Sequence, residues 1–185
     1  MAITAVLPLC IQGSYGVDDL GRTEILFATF SAFNAAEVFS EFLIVCPPDE
    51  VDIIRRRTAK WSEFSIRVMS EEALIPEFEK HRHVRGWRKQ QIVKLAAPRA
   101  ITTPYYLTLD ADAICLRPLT ESLLLPGGKA LIQYEQRAQH PKWWKSSARI
   151  LKMSGDVGNP ELGMTVTPAL MASEISEATG EEIAA

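Results

Sequence analysis

Phe42-Leu43-Ile44-Val45-Cys46 is an unbroken apolar run stopped by Pro47-Pro48. A strand with one face in water alternates apolar and polar residues. A run this uniform belongs to a strand buried on both faces, as in parallel sheets covered by helices. Ala5-Val6-Leu7, ending at Pro8, and Tyr105 to Leu109 read the same way, and Phe64 to Val68 alternates as a further strand. The segments between them carry helical signals. Thr23 reads as an N-cap for a helix over Glu24 to Ala36, with Leu26, Phe30 and Phe33 at helical spacing, and Asp49 as the cap of a helix bearing Val51 and Ile54. Ser70 opens a short helix that Pro76 disturbs, and Gly86 to Ala97 is a longer one that stops before Pro98. Beyond residue 119 the pattern predicts strands over Ala130 to Tyr134 and Gly163 to Val166, and helices over Trp143 to Met153 and Pro168 to Glu177. Strands alternating with helices of this length imply an α/β fold around a mainly parallel sheet.

Composition removes several function classes. Apolar residues make up 47% and charged residues 23%, enough for a packed core rather than disorder. The net charge of −3 argues against a general affinity for nucleic acid, and no apolar run reaches a bilayer span. No base precedes Arg22, so the apolar start lacks the charge pattern of a secretory leader. Cys10, Cys46 and Cys115 sit in apolar surroundings with neither zinc spacing nor a disulfide framework, and the expectation is reduced thiols in a cytoplasmic protein. The charge is uneven along the chain. Residues 55 to 99 hold twelve bases against five acids, which either steers an anionic small molecule or decorates a solvated helix with Arg55, Arg56, Arg57 and Lys60.

The sharpest chemical feature is Tyr105-Tyr106-Leu107-Thr108-Leu109-Asp110-Ala111-Asp112, an apolar strand that ends in two acids. Ligands of open α/β sheets bind at the carboxyl ends of parallel strands. Two carboxylates on one face of a strand there repel unless a cation or proton lies between them. Oxygen ligands suit Mg²⁺ or Mn²⁺, ions that commonly bridge to substrate phosphates. The small Ala111 between the acids lets a ligand approach the backbone.

With Ala113-Ile114-Cys115-Leu116-Arg117-Pro118-Leu119 after it, this motif resembles the Asp-X-Asp signature of GT-A fold glycosyltransferases. Gly86-Trp87-Arg88-Lys89-Gln90-Gln91-Ile92-Val93-Lys94-Leu95 strengthens the match. It is similar to the helix that carries Lys-Leu about sixteen residues before the first metal acid, and its Gly-Trp-X-X-Gln-Gln form looks most like a bacterial family of predicted glycosyltransferases. The resemblance implies a Rossmann-like sheet of GT-A type and metal-dependent transfer of a sugar from a nucleotide-diphospho-sugar to an acceptor. It implies Asp112 as a direct metal ligand, Asp110 as a second ligand or a partner for the ribose, and Mn²⁺ or Mg²⁺ as cofactor. Residues 1–185 are then one GT-A-like domain, with a nucleotide-binding part over 1–119. The start of an acceptor part over 120–185 is expected to be incomplete.

Other residues receive roles on that basis. Lys94 either places an ammonium near the diphosphate or snorkels at the surface. Gln90 and Gln91 hydrogen-bond the sugar or nucleotide or form a polar helix face, and Trp87 stacks on a base or joins the core. Pro8 lies where the ends of the first two strands meet the base. Arg22 reaches a phosphate or pairs with Asp18 or Asp19. His140, in front of Pro141 and Trp143-Trp144, reads as an acceptor-site wall or surface loop rather than a metal ligand. The catalytic base would come from Glu135, Asp156, Glu161 or a missing segment, and Glu135, just past the strand ending at Tyr134, is the best-placed candidate. Two alternatives stand beside this reading. One is a catalytically incomplete nucleotide-binding domain. The other is a haloacid-dehalogenase-type phosphotransferase, which places Asp-X-Asp on its first strand and uses the first acid as nucleophile. A dinucleotide-binding Rossmann domain is disfavoured because Gly13, Gly16 and Gly21 lack Gly-X-Gly-X-X-Gly spacing.

Overall fold

Strand β1 (Ile3–Pro8) is buried at every residue and lies in the middle of the sheet. The computed structural model describes residues 3–13, 16–81, 83–84, 86–131, 136–150, 152 and 170–173. Strand β1 pairs in parallel with β2 (Glu41–Cys46) on one side and with β4 (Tyr105–Thr108) on the other. Strand β3 (Ile66–Ser70) continues the parallel sheet beyond β2, and β5 (Leu170–Ala172) closes the far edge antiparallel to β4. The order is β3-β2-β1-β4-β5. The expected α/β, Rossmann-like, mainly parallel sheet flanked by helices is therefore the fold, with four parallel strands and one antiparallel edge.

The two faces of the sheet are filled by alternate residues. Ile3, Ala5 and Leu7 of β1 and Phe42, Ile44 and Cys46 of β2 share one buried cluster with Leu26, Phe27 and Phe30 of helix α1 (Asp19–Ala32). Val6, Leu43, Val45 and Tyr106 enter the opposite cluster with Val93 of helix α4 (Gly86–Ala96) and Ala97 just after it. Strict alternation along uniformly apolar strands is what burial on both faces requires. The first face is centred on Phe42, whose ring lies 5.1–5.7 Å from those of Phe27, Phe30, Phe39 and Phe64.

Several local expectations are corrected. Helix α1 starts four residues before Thr23, capped by Asp18, whose carboxylate accepts from Gly21 N–H at 2.8 Å. Thr23 lies inside the helix and donates back to the Asp19 carbonyl. Asp49 caps nothing, because Pro48–Glu50 form a 3-10 turn leading directly into α2 (Val51–Thr58). Strand β3 sits two residues later than expected. Ser70 does cap α3 (Glu71–Leu74), accepting from Ala73 N–H at 3.0 Å. A short helix α5 (Glu121–Leu124) follows β4, and α6 (Pro141–Ile150) begins at the proline, whose missing N–H costs nothing at a first helical position. The helix expected over 168–177 is contradicted at residues 170–172, which are strand. The edge of β4 needs a hydrogen-bonding partner, and Ser173 anchors this one by donating from its backbone to Pro104 and from its hydroxyl to Thr103. Of the strand expected over 130–134, Ala130 and Leu131 are not strand and 132–134 lie outside the described residues, as does the strand expected over 163–166.

Phe42→Ala removes a side chain only 1% exposed and ringed by four aromatics. It is expected to cost about 3–5 kcal/mol in a denaturant titration. A loss below about 1 kcal/mol would show that this cluster does not hold the sheet to α1.

Candidate functional site

Strand order reverses at β1, since the chain moves outward through β2 and β3 and then crosses to β4 on the other side. In open α/β sheets ligands usually bind beside such a reversal, at the carboxyl ends of the strands, which here are the ends of β1 and β4. From β1 the chain runs through Leu9, whose N–H bonds the Val45 carbonyl at 2.9 Å, into a glycine-containing loop. Gly13 is needed there because a Cβ would fall 1.7 Å from the Asp19 carboxylate, and Gly16 has φ of 72°. Pro8, the last residue of β1, is buried beneath this loop.

From β4 the chain runs directly into the two acids. Strand pairing proper ends at Thr108, and Leu109 N–H still bonds the Val6 carbonyl at 2.8 Å. Asp110 to Ala113 form a turn closed by Ala113 N–H on the Asp110 carbonyl at 3.0 Å. Asp110 and Asp112 are therefore presented by a turn, not by strand alternation as expected. Both are exposed, and Ala111 between them is half-buried against the α1-side core. Lys94 explains why the first acid is fixed. Its side chain is 7% exposed, and its ammonium donates to Asp110 Oδ1 at 2.8 Å. Tyr106, fully buried under it, donates its hydroxyl to the Lys94 carbonyl at 2.8 Å. Lys94 is thus not a surface lysine: it is buried, and its ammonium lies against Asp110 at the end of β4. Asp112 has no hydrogen-bonding or ionic partner among the described residues.

Two further acids at this end of the sheet were not singled out by the sequence. Glu50 accepts from Ile11 N–H at 2.7 Å and so ties the loop after β1 to the turn after β2. Burial holds its carboxyl above the usual range, against the lowering effect of that hydrogen bond. Glu71, 8% exposed, pairs with the Lys89 ammonium, which also lies over the Phe78 ring. Lys89 and Lys94 share one helix that crosses two strand ends, and that common origin is the signal that could have revealed Glu71. Burial, followed by the charges of Glu50, Glu71 and Asp19, pushes the Cys10 thiol up to about 11; burial and Glu50 push Cys46 up to about 12. Both are protonated at neutral pH, which does not favour nucleophilic chemistry.

The remaining assignments separate clearly. Arg22 pairs with Asp19 at 3.2 Å, one of its two expected partners. Trp87 is 62% exposed, so it is not a core residue, while Gln91 is exposed and Gln90 half-buried. His140 stacks on Trp143 with ring centroids 4.6 Å apart. Glu135 lies outside the described residues. Part of the basic stretch after residue 54 is engaged at the surface: Arg55 pairs with Asp52, Arg57 and Lys60 with Glu24, and Arg67 with Glu41. A groove of about 540 Å³ beside α1, lined by Ile25, Ala28, Phe33 and Trp61, contains none of the expected site residues.

Among the described residues no three His, Cys, Asp or Glu side chains gather to cage a metal ion. The donor set still fits a hard divalent cation held by few protein ligands. Two exposed carboxylates offer oxygen only, and such ions usually complete their shells with water and substrate phosphate. Lys89, Lys94 and Arg22 are each paired with an acid. An incoming diphosphate would meet a surplus of carboxylates, and a cation relieves that repulsion.

Because burial raises the Glu50 pKa in the folded chain, Glu50 stabilises the fold below its unfolded pKa. That contribution is lost as pH rises through the folded value. Glu50→Gln, which keeps an acceptor for Ile11, is expected to melt above the parent at about pH 7 and level with it near about pH 3.5. A variant that melts lower at about pH 7 would contradict this.

Comparison with solved structures places the fold. The chain is similar to mouse xyloside xylosyltransferase 1 in its apo form, at a TM-score of 0.54 and 11% identity, covering 95% of this chain and 68% of that one. A looser likeness, TM-score 0.45 and 16% identity over 97% and 74% of the two chains, is to 4-diphosphocytidyl-2C-methyl-D-erythritol synthase from Anaerococcus prevotii DSM 20548. The first shows a shared GT-A-type fold and nothing of activity; the second is too loose to argue from. No match was found among curated proteins. Residues 1–185 match the model of a family described as a family of unknown function, DUF6492.

Proposed function

The chain belongs to the DUF6492 family, and from that premise we propose that it is a metal-dependent glycosyltransferase. Its donor would be a nucleotide-diphospho-sugar. The carrying observation is the Asp110–Asp112 turn at the carboxyl end of β4, beside the strand-order reversal, with Asp110 held by buried Lys94. The shared fold with a xylosyltransferase supports the same reading at the level of architecture.

The residues divide the work as follows. Asp112, exposed and unpaired among the described residues, is the direct ligand for Mn²⁺ or Mg²⁺. Asp110 keeps one oxygen on Lys94 and offers the other to the cation or the ribose. A bound dication supplies neutralisation of the charge that develops on the departing diphosphate. The loop after β1 and Pro8 border the base, and Gln91 and Trp87 face solvent on α4, where they can meet the sugar or nucleotide. Glu135 remains the proposed base for the acceptor hydroxyl. Lys94 sets the Asp110 carboxylate before substrate arrives, and the cation held beside it would supply the electrostatic stabilisation.

Asp112→Asn is expected to weaken Mn²⁺-dependent binding of nucleoside diphosphates at least about tenfold in calorimetric titration. Its melting temperature should stay at the parental value, because the side chain is exposed. Unchanged affinity in the presence of Mn²⁺ would overturn the assignment. Failure of the parent chain to release nucleoside diphosphate from any nucleotide-sugar, despite binding it, would instead favour a binding domain without turnover.

A further inference from the structure

Helix α6 is unlike the other helices in how little of it is covered. Of its ten residues only Ala148 is buried and Trp144 half-buried; Trp143 is 52% exposed and Ile150 48% exposed. At 3.6 residues per turn, Trp143 and Ile150 stand on one flank of the docked side, and Lys142, Lys145 and Arg149 on the other. Lys142, Lys145 and Arg149 are all exposed, as is Lys152 just beyond the helix. Residues 136–152 contain five bases (Arg137, Lys142, Lys145, Arg149 and Lys152) and no acid, in a chain whose net charge is −3. None of the three cations on α6 has an ion-pair partner among the described residues, a state shared by some bases elsewhere such as Arg56, Arg88 and Lys129.

We propose that α6 seats this protein on the surface of an anionic phospholipid bilayer. Trp143 and Ile150 would enter the headgroup region, with Lys142, Lys145 and Arg149 against the lipid phosphates. A basic helix with one apolar flank carrying tryptophan is the physical signature of interfacial binding. The docked side of α6 selects a flat partner over an enveloping one. An acidic protein groove that wraps a basic helix needs both of its faces, and Ala148 and Trp144 are already occupied against the fold. No described helix is long and apolar enough to cross a membrane, so contact is peripheral. Each base near an anionic surface raises the partition constant roughly fivefold, and the effect is screened by salt. The inference is independent of the catalytic reading.

Flotation with vesicles tests it. The full chain is expected to float with phosphatidylcholine vesicles containing about one third phosphatidylglycerol, to remain in solution with pure phosphatidylcholine, and to be released by high salt. Lys142→Glu/Lys145→Glu and, separately, Trp143→Ser/Ile150→Ser should each lower partitioning at least about tenfold while melting at the parental temperature. Absence of binding to anionic vesicles, equal binding to both vesicle types, or binding unchanged in both variants would overturn it. So would light scattering that shows a dimer dissociated by Trp143→Ser/Ile150→Ser, which assigns the face to a second copy of the chain.

Discussion

Every residue from Ile3 to Leu9 is buried, and this confinement of β1 organises the molecule. A strand without an exposed face needs a hydrogen-bonded neighbour on each side and a helix on each face. Strands β2 and β4 supply the first, α1 and α4 the second. Because β2 and β4 lie on opposite sides of β1, strand order reverses there, and the candidate site lies at the carboxyl ends of β1 and β4. The position of the site is thus a consequence of core packing rather than a separate feature.

Helix α4 links that core to the chemistry. Its inner side buries Val93 and Lys94, an aliphatic residue and a cation in succession. The lysine stem crosses the apolar layer while its ammonium emerges at the end of β4 to hold Asp110. Tyr106 fixes the backbone of the same residue from below. A half-exposed carboxylate held in this way loses side-chain freedom without being removed from water, since Asp110 remains 50% exposed. Preorganisation of this kind is what a cation site with few protein ligands requires. The placement of the acids in the turn after the fourth strand in sequence also argues against a phosphotransferase that carries its nucleophilic acid on the first.

Much of this was legible in the chain. The apolar runs at 5–7, 42–46 and 105–109 and the punctuation at Pro8, Pro47 and Pro98 identify the central strands and the end of α4, because burial on both faces writes itself into composition. Interactions that depend on the third dimension were less visible. Thr23 and Asp18 are both good caps, and the competing Gly21 made the first turn of α1 look like loop. The segment at 170–172 has no strand pattern of its own and is strand because β4 needed a partner. The sixteen-residue spacing of Lys94 and Asp110 was apparent, but that the two would bond was not: an ammonium sixteen residues from a carboxylate has no preferred geometry until a sheet and a helix bring them together. Glu50 and Glu71 were missed for the same reason, since an acid after a strand looks alike whether it caps a turn or is buried under a loop.

The central claim is that Asp112 holds a divalent cation for a diphosphate at the end of β4. The most direct test is diffraction at a wavelength that reveals manganese, from crystals grown with Mn²⁺ and a nucleoside diphosphate. An anomalous peak is expected about 2.1 Å from an Asp112 carboxylate oxygen, shared with the diphosphate, with the Lys94–Asp110 bond intact beside it. Nucleotide bound in the crevice with manganese elsewhere, or with no manganese peak, would contradict it.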